Sequence, residues 1–434
     1  MKNKIVSIVL LLAAFGFAAH AQDAVTEMNI NGLKVLFKPS PKQTVCAIMF
    51  FKGGTANYTE QQQGIENFAL VATTECGTAK YSKDAFKDKA DKYGIDFGGS
   101  SGYDYGYISM GCVKPYWNEG WDLFAEAVNN PVFDAKEVGL LQQKIITGLK
   151  SQESNPDDML NKMSLLDAFK GTRYVALPGG TVESVSATTQ ADIQTYYKQL
   201  LNVNRMLLVV VGNLTPEEVK SKVKSAFAAL PNEALSPLPK TADFRITSNS
   251  LNVQNRPLAT NYIAGVMGAP NATSDDFFAY RLGITILSDK LFEEIRTKRN
   301  LSYAPYSLIA ANFLPYAKLY VTTTKPKDAV TVMVDEVKFL RNGGFTDIDL
   351  RDAKSKLTTA FYMRNESTVA NTVALGDSEI KGSWKNFFDF LTKTNAVTLP
   401  QLQKVFAEYA AGIKWNYLGD ESQADKEAFD KSTK

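Results

Sequence analysis

Val185-Ser186-Ala187-Thr188-Thr189-Gln190-Ala191-Asp192-Ile193-Gln194, followed by the apolar run Met206-Leu207-Leu208-Val209-Val210-Val211, has an echo near the other end of the chain. There Val397-Thr398 and Leu402-Gln403 precede the strand-like segment Ile413–Tyr417. The same helix-then-strand ending occurring twice points to a duplicated α/β unit. Each copy should then show the same order of elements upstream of that ending.

Working outward from the first ending, periodicity predicts a helix at Thr189–Leu201 before the apolar strand and another at Thr215–Ala229 after it. The second of these marks its own start. Thr215-Pro216-Glu217-Glu218 puts threonine at the N-cap, proline at the first helical position and acids in the first turn. Further upstream, Lys34–Phe37 and Val45–Phe51 read as strands around a turn at Pro39-Ser40-Pro41. Helical spacing follows at Gly64–Thr74 and Lys83–Tyr93, strands at Ile95–Ser101 and Tyr105–Val113, then helices at Trp117–Val128, Ala135–Gln152 and Asp157–Phe169. The second half repeats this order more weakly. A strand at Thr260–Val266 precedes helices at Asp275–Leu287 and Lys290–Arg299; a strand at Ala317–Thr324 precedes helices at Asp328–Arg341, Asp347–Met363 and Thr368–Ile380. Between the halves, Leu230–Ser250 contains Pro231, Pro237 and Pro239 and reads as an exposed linker. The expected domains are 22–229 and 251–434, joined by 230–250.

Composition narrows the function. The first 21 residues read as a secretion signal: Lys2 and Lys4, an apolar run from Ile5 to Ala18, then Ala19-His20-Ala21 as a small-x-small cleavage site. The expected location is periplasmic or secreted. His20 is the only histidine, so the exported chain has no imidazole for a zinc ligand, a serine triad or a cysteine dyad. Without Lys2 and Lys4 it carries 46 basic and 46 acidic residues, a balance that does not call for nucleic acid or an anionic membrane surface. No later apolar stretch approaches the ~18 residues of a membrane span. Cys46, Cys76 and Cys112 are widely spaced with no C-x-x-C pair; buried small apolar residues are the plainer reading, and a three-thiolate metal site the rarer one.

Several motifs, taken in order, resemble the pitrilysin and mitochondrial-processing-peptidase family of inverted zinc peptidases across nearly the whole exported chain. They are Asn31-Gly32-Leu33, Gly64-Ile65-x-Asn67-Phe68 through Gly77-Thr78, Gly98-Gly99-Ser100-Ser101, Asn155-Pro156, and Arg296-Thr297-Lys298-Arg299-Asn300-Leu301-Ser302-Tyr303. The resemblance implies an α/β (α+β) fold of two homologous domains, each a mostly antiparallel sheet packed with helices. In active members the helix after Gly-Ile carries H-x-x-E-H, two zinc ligands around a glutamate base, and a later helix supplies a third ligand. Counting forward from Gly64 puts these positions at Asn67, Leu70 and Val71; counting back from Gly77-Thr78 gives Phe68, Val71 and Ala72. The third ligand falls near Gly148, on a helix whose one acid is Glu137. Neither register offers a histidine or a glutamate, so the resemblance is to a zinc-free member.

The second half departs less. Arg296 and Tyr303 match the family's arginine and tyrosine, seven residues apart, which hold the substrate and stabilise the developing oxyanion. Asn300 stands where glycine is common before the leucine, which puts the local turn in question. Gly98, Gly99, Ser100 and Ser101 resemble an edge strand that accepts an extended peptide. Tyr103, Tyr105 and Tyr107 alternate, so they would share one face of a strand and line either a chamber or a half-buried sheet. The leading expectation is the non-zinc subunit of a two-chain periplasmic metallopeptidase. It would have no cofactor of its own, a homologous zinc-bearing partner, peptide substrates, and no nucleic acid. The alternative is a non-catalytic peptide-binding or scaffold protein.

Overall fold

The computed structural model describes residues 25–431; the signal-like stretch lies outside the described residues. Eleven strands among them form two sheets. The first contains β1 (Thr26–Ile30), β2 (Leu33–Pro39), β3 (Thr44–Lys52), β4 (Asp96–Ser101), β5 (Tyr105–Val113) and β6 (Met206–Gly212), in the spatial order β1-β2-β6-β3-β5-β4. The second contains β7 (Ser250–Asn255), β8 (Asn261–Gly268), β9 (Tyr306–Ala310), β10 (Tyr316–Thr323) and β11 (Lys414–Gly419), in the order β7-β11-β8-β10-β9. Both are mostly antiparallel.

The duplication is visible in the pairing. The closing strand of the first half, β6, lies parallel to β2 and antiparallel to β3. The closing strand of the second half, β11, lies parallel to β7 and antiparallel to β8. Met206, Leu208 and Val210 face one core and Leu207, Val209 and Val211 the other, so β6 is covered on both faces, reads as an unbroken apolar run and is buried throughout.

Alternation along β3 shows what covers each face. Val45, Ala47, Met49 and Phe51 point into the core made with the first half's own helices, Ile65–Glu75, Trp117–Asn129, Gln190–Leu200 and Pro216–Phe227. Cys46, Ile48 and Phe50 point the other way, with Leu207, Val209 and Val211 of β6, onto Leu375. Leu375 belongs to helix Thr368–Ile380 of the second half. The reverse also holds. Helix Pro156–Ala168, from the first half, packs on β8 and β11, where Leu160 and Met163 meet Ala264 and Leu418. Each sheet is therefore covered on one face by a helix from the other half. At Gly376 the approach is so close that an added Cβ would lie 2.3 Å from the Phe50 ring.

Boundaries mostly follow the expected segments, with three differences. The stretch expected as a separate helix at Lys290–Arg299 continues Asp275–Leu291 without a break and passes into a π-helical turn, Phe292–Lys298; no glycine or proline separates Leu287 from Lys290. The helix ending near Gln152 runs on to Ser154 and so includes Glu153, bonded to Lys162 at 2.8 Å. Strands β1, β7 and β9 and helix Lys385–Ala396 were not separately legible, being short or edge elements whose patterns are set by their neighbours. Between helix Pro216–Phe227 and β7, the segment carries no helix or strand beyond one bridge at Phe244, and residues 231–237 are all exposed.

Candidate functional site

Helix Ile65–Glu75 starts at Gly64, whose φ of +89° suits glycine, and lies against edge strand β4. The strand comes so near that a Cβ on Gly99 would sit 2.1 Å from the Leu70 carbonyl oxygen. The helix's faces separate the two counting registers. Phe68 and Ala72 are in the core, whereas Asn67 and Val71, one turn apart, share the half-buried side toward β4. Leu70 is buried. The amide oxygen of Asn67 accepts the Ser101 backbone N–H at 3.1 Å and the Ser100 hydroxyl at 3.3 Å, tying helix to edge strand. Gly148, on helix Ala135–Ser154, is exposed with open space over its Cα. Glu137 of that helix is held by Lys83 at 2.5 Å.

These residues do not fit a zinc ion. An amide oxygen committed to β4, two aliphatic side chains and a glycine offer no imidazole or carboxylate donor set. Among the described residues no group of three or more His, Cys, Asp or Glu side chains could hold a metal ion. The three cysteines are unpaired and buried. Burial pushes the Cys46 thiol up to about 11 and those of Cys76 and Cys112 to about 12, so all are protonated at neutral pH.

Sequence reading passed over Glu66, beside Asn67. It is fully buried and takes three hydrogen bonds: Asn57 Nδ2 at 2.9 Å, Tyr196 OH at 2.6 Å and Ser101 Oγ at 2.8 Å. Burial pushes its carboxyl up to about 7, and those three bonds pull in the opposite direction. An acid flanked by the apolar Ile65 and by Asn67-Phe68 in the first turn was the available signal. Glu66 and Asn67 together anchor Ser100 and Ser101. The edge residues Gly98 to Ser101 pair with Ser109, Ile108, Tyr107 and Gly106 of β5, leaving the other side of β4 unpaired.

Arg296 lies in the π-helical turn, its guanidinium 4.1 Å from the Tyr303 ring centre and 4.8 Å from that of Phe292. Tyr303 is 78% exposed. The link between them closes through Leu301 N–H to the Ile295 carbonyl at 2.9 Å, with Asn300 at φ +50°. Asparagine tolerates this left-handed conformation, so it serves where glycine was expected. Among the described residues no hydrogen bond or ring contact links Arg296 or Tyr303 to Asn67 or β4. Of the alternating tyrosines, Tyr105 and Tyr107 pack toward the face covered by Leu375, while Tyr103 sits in the turn and stacks on Tyr174 at 4.4 Å.

Comparison with known proteins agrees with this geometry. The description "Insulinase (Peptidase family M16)" matches residues 34–179, and "Peptidase M16 inactive domain" matches 187–357. The chain belongs to peptidase family M16. An uncharacterized zinc protease of Mycobacterium leprae is 26% identical over 65% of this chain, a match spanning 65% of that relative's own length. A non-peptidase homolog, YmxG of Helicobacter pylori, is 23% identical over 83% of this chain and 85% of its own. Among solved structures, a peptidase M16 inactive domain from Pseudomonas fluorescens superposes with a TM-score of 0.82 at 19% identity, covering 92% of this chain and 98% of that one. The first half of the Escherichia coli periplasmic protease PqqL superposes at 0.74 with 17% identity, covering 94% and 95%. The M16 fold of two domains is thus established for this chain. Among its described residues no helix is long and apolar enough to cross a membrane.

Proposed function

We propose that this chain is the non-zinc subunit of a two-chain M16 metallopeptidase of the periplasm, working with a homologous chain that carries H-x-x-E-H. The observation that carries this reading is the Arg296–Tyr303 pair, a guanidinium stacked on a mostly exposed phenol in a chain whose own zinc positions hold Asn67, Leu70 and Val71. Both side chains donate hydrogen bonds, and together they would hold a peptide carbonyl and stabilise its oxygen as negative charge develops. The unpaired edge of β4, at Gly98–Ser101, would take an extended peptide by strand addition. Location in the periplasm is supported by the signal-like first 21 residues, and cell fractionation tests it.

A second reading, a peptide-binding or scaffold protein, is favoured by the name of the Helicobacter pylori relative, a non-peptidase homolog. One experiment separates the two. The chain is reconstituted with its zinc-bearing partner and peptide turnover is measured for wild type, Arg296→Ala and Tyr303→Phe. Removing one oxyanion donor typically costs on the order of 10²–10³ in turnover. Losses of that size with assembly intact support the peptidase subunit; rates within about twofold of wild type in a fully assembled complex leave the scaffold reading.

A further inference from the structure

A cavity of about 750 Å³ opens in the second half between helices Asp275–Leu291, Asp347–Arg364, Thr368–Ile380 and Lys385–Ala396, with β9 along one side. That volume is within the roughly 300–1,000 Å³ of small-molecule sites. Helix Asp275–Leu291 packs on edge strand β9 and on helix Asp347–Arg364, as Ile65–Glu75 packs on β4 and on Ala135–Ser154. The cavity is therefore the second copy's counterpart of the first half's degenerate zinc position.

Phe277, Phe361, Phe390, Leu308, Leu357 and Val373 form its apolar wall, and polar side chains including Thr273, Thr285, Asn365 and Asn386 complete the lining. Its charges are unbalanced. Arg281 lies in the wall between the Phe277 and Phe390 rings, at 5.0 and 5.4 Å, and its buried Nε has no hydrogen-bond partner. No ion pair of Arg281 or Arg364 is present among the described residues. The acid in the lining, Asp377, is already bound by Lys381 through both oxygens, at 2.6 and 2.7 Å. Burial and then the neighbouring Arg364 lower Arg281 to about 10 against the opposing pull of Asp377, which leaves it charged at neutral pH. An unpaired guanidinium among phenyl rings is costly for a fold to retain, and an incoming anion relieves that cost through charge-assisted hydrogen bonds.

We propose that this cavity binds a small amphipathic carboxylate, with the apolar body among the phenylalanines and the carboxylate on Arg281, and with Arg364 at its side. The aromatic walls select the body and Arg281 selects the charge. This site is separate from the Arg296–Tyr303 pair and does not depend on a partner chain.

The test is calorimetric titration of the full chain with decanoate, decan-1-ol and decyltrimethylammonium, each below its aggregation limit. Decanoate is expected to bind one per chain, the alcohol at least tenfold more weakly and the cation not at all. Arg281→Met should weaken decanoate at least tenfold while the ligand-free melting temperature stays the same or rises. A purely structural arginine would give the opposite melting result. Ala374→Phe, which fills the lined space and leaves Arg281 in place, should block binding as well; it decides the matter if Arg281→Met does not fold. Equal binding of acid and alcohol, unchanged decanoate affinity in either folded variant, or no binding of decanoate would overturn the proposal.

Discussion

Glu66 shows how one buried acid couples pH to the fold. Its carboxyl rises from an ordinary 4.5 to about 7 because desolvation outweighs the bonds from Asn57, Tyr196 and Ser101. A raised folded-state value means that the native protein holds this proton more tightly than the unfolded chain does. Its contribution is then fully present below about pH 4.5 and is lost as pH rises through about 7. The gap corresponds to on the order of 3 kcal/mol. Denaturant midpoints measured from pH 4.5 to 8 should fall more steeply for wild type than for Glu66→Gln, which cannot ionise; parallel curves would show that the burial argument fails. The Arg296–Tyr303 pair poses a different residue-scale question. Asn300 at φ +50° keeps the turn that brings the ring under the guanidinium, so Asn300→Gly should leave any turnover of the assembled complex nearly unchanged while Arg296→Ala lowers it by on the order of 10²-fold.

Among the elements, β4 and helix Thr368–Ile380 depend on glycines at points of contact. Gly99 lets the edge strand lie against the backbone of Leu70, and Gly376 lets a helix of one half rest on Phe50 of the other. Alanine at either position overpacks a contact with backbone or a rigid ring, a change that costs about 1–3 kcal/mol. Gly376→Ala should lower the unfolding free energy by that amount, read as a lower urea midpoint with an unchanged slope. Gly99→Ala should do the same and, in addition, shift β4 away from Asn67. Amide exchange of the β4 residues reads that shift: faster exchange at Ser101, whose N–H bonds to Asn67, is the expected outcome.

At the scale of the molecule, the exchanged helices make the two halves depend on each other. Buried contacts at the crossing include Phe169 stacked on Phe244 at 4.8 Å and Asp104 accepting the Phe313 N–H at 2.9 Å. The segment through residues 231–237 is exposed and carries no helix or strand, so limited proteolysis should cut there first. The nicked fragments should still elute together from a sizing column in native buffer, because separating them would expose β3 and β6 on one side and β8 and β11 on the other. Fragments that part without denaturant would contradict the exchange.

The sequence by itself determined the duplication, the lack of any histidine beyond residue 20, the absence of histidine and glutamate from both counted registers and most helices, because periodicity, caps and residue chemistry are local or compositional. Thr215-Pro216-Glu217-Glu218 illustrates this: its threonine N-cap forms as read, with Glu218 N–H on Thr215 Oγ1 at 3.2 Å. Only the tertiary structure decided which counting register faces β4, since two positions one residue apart differ only in which side of a helix they occupy. Likewise, it alone brought Asn57, Glu66, Ser101 and Tyr196 to one point, and Arg281 to a cavity whose lining acid, Asp377, is already held by Lys381. The crossing of helices Pro156–Ala168 and Thr368–Ile380 was equally hidden. An apolar stripe records that a helix must be covered and carries no mark of which sheet will cover it.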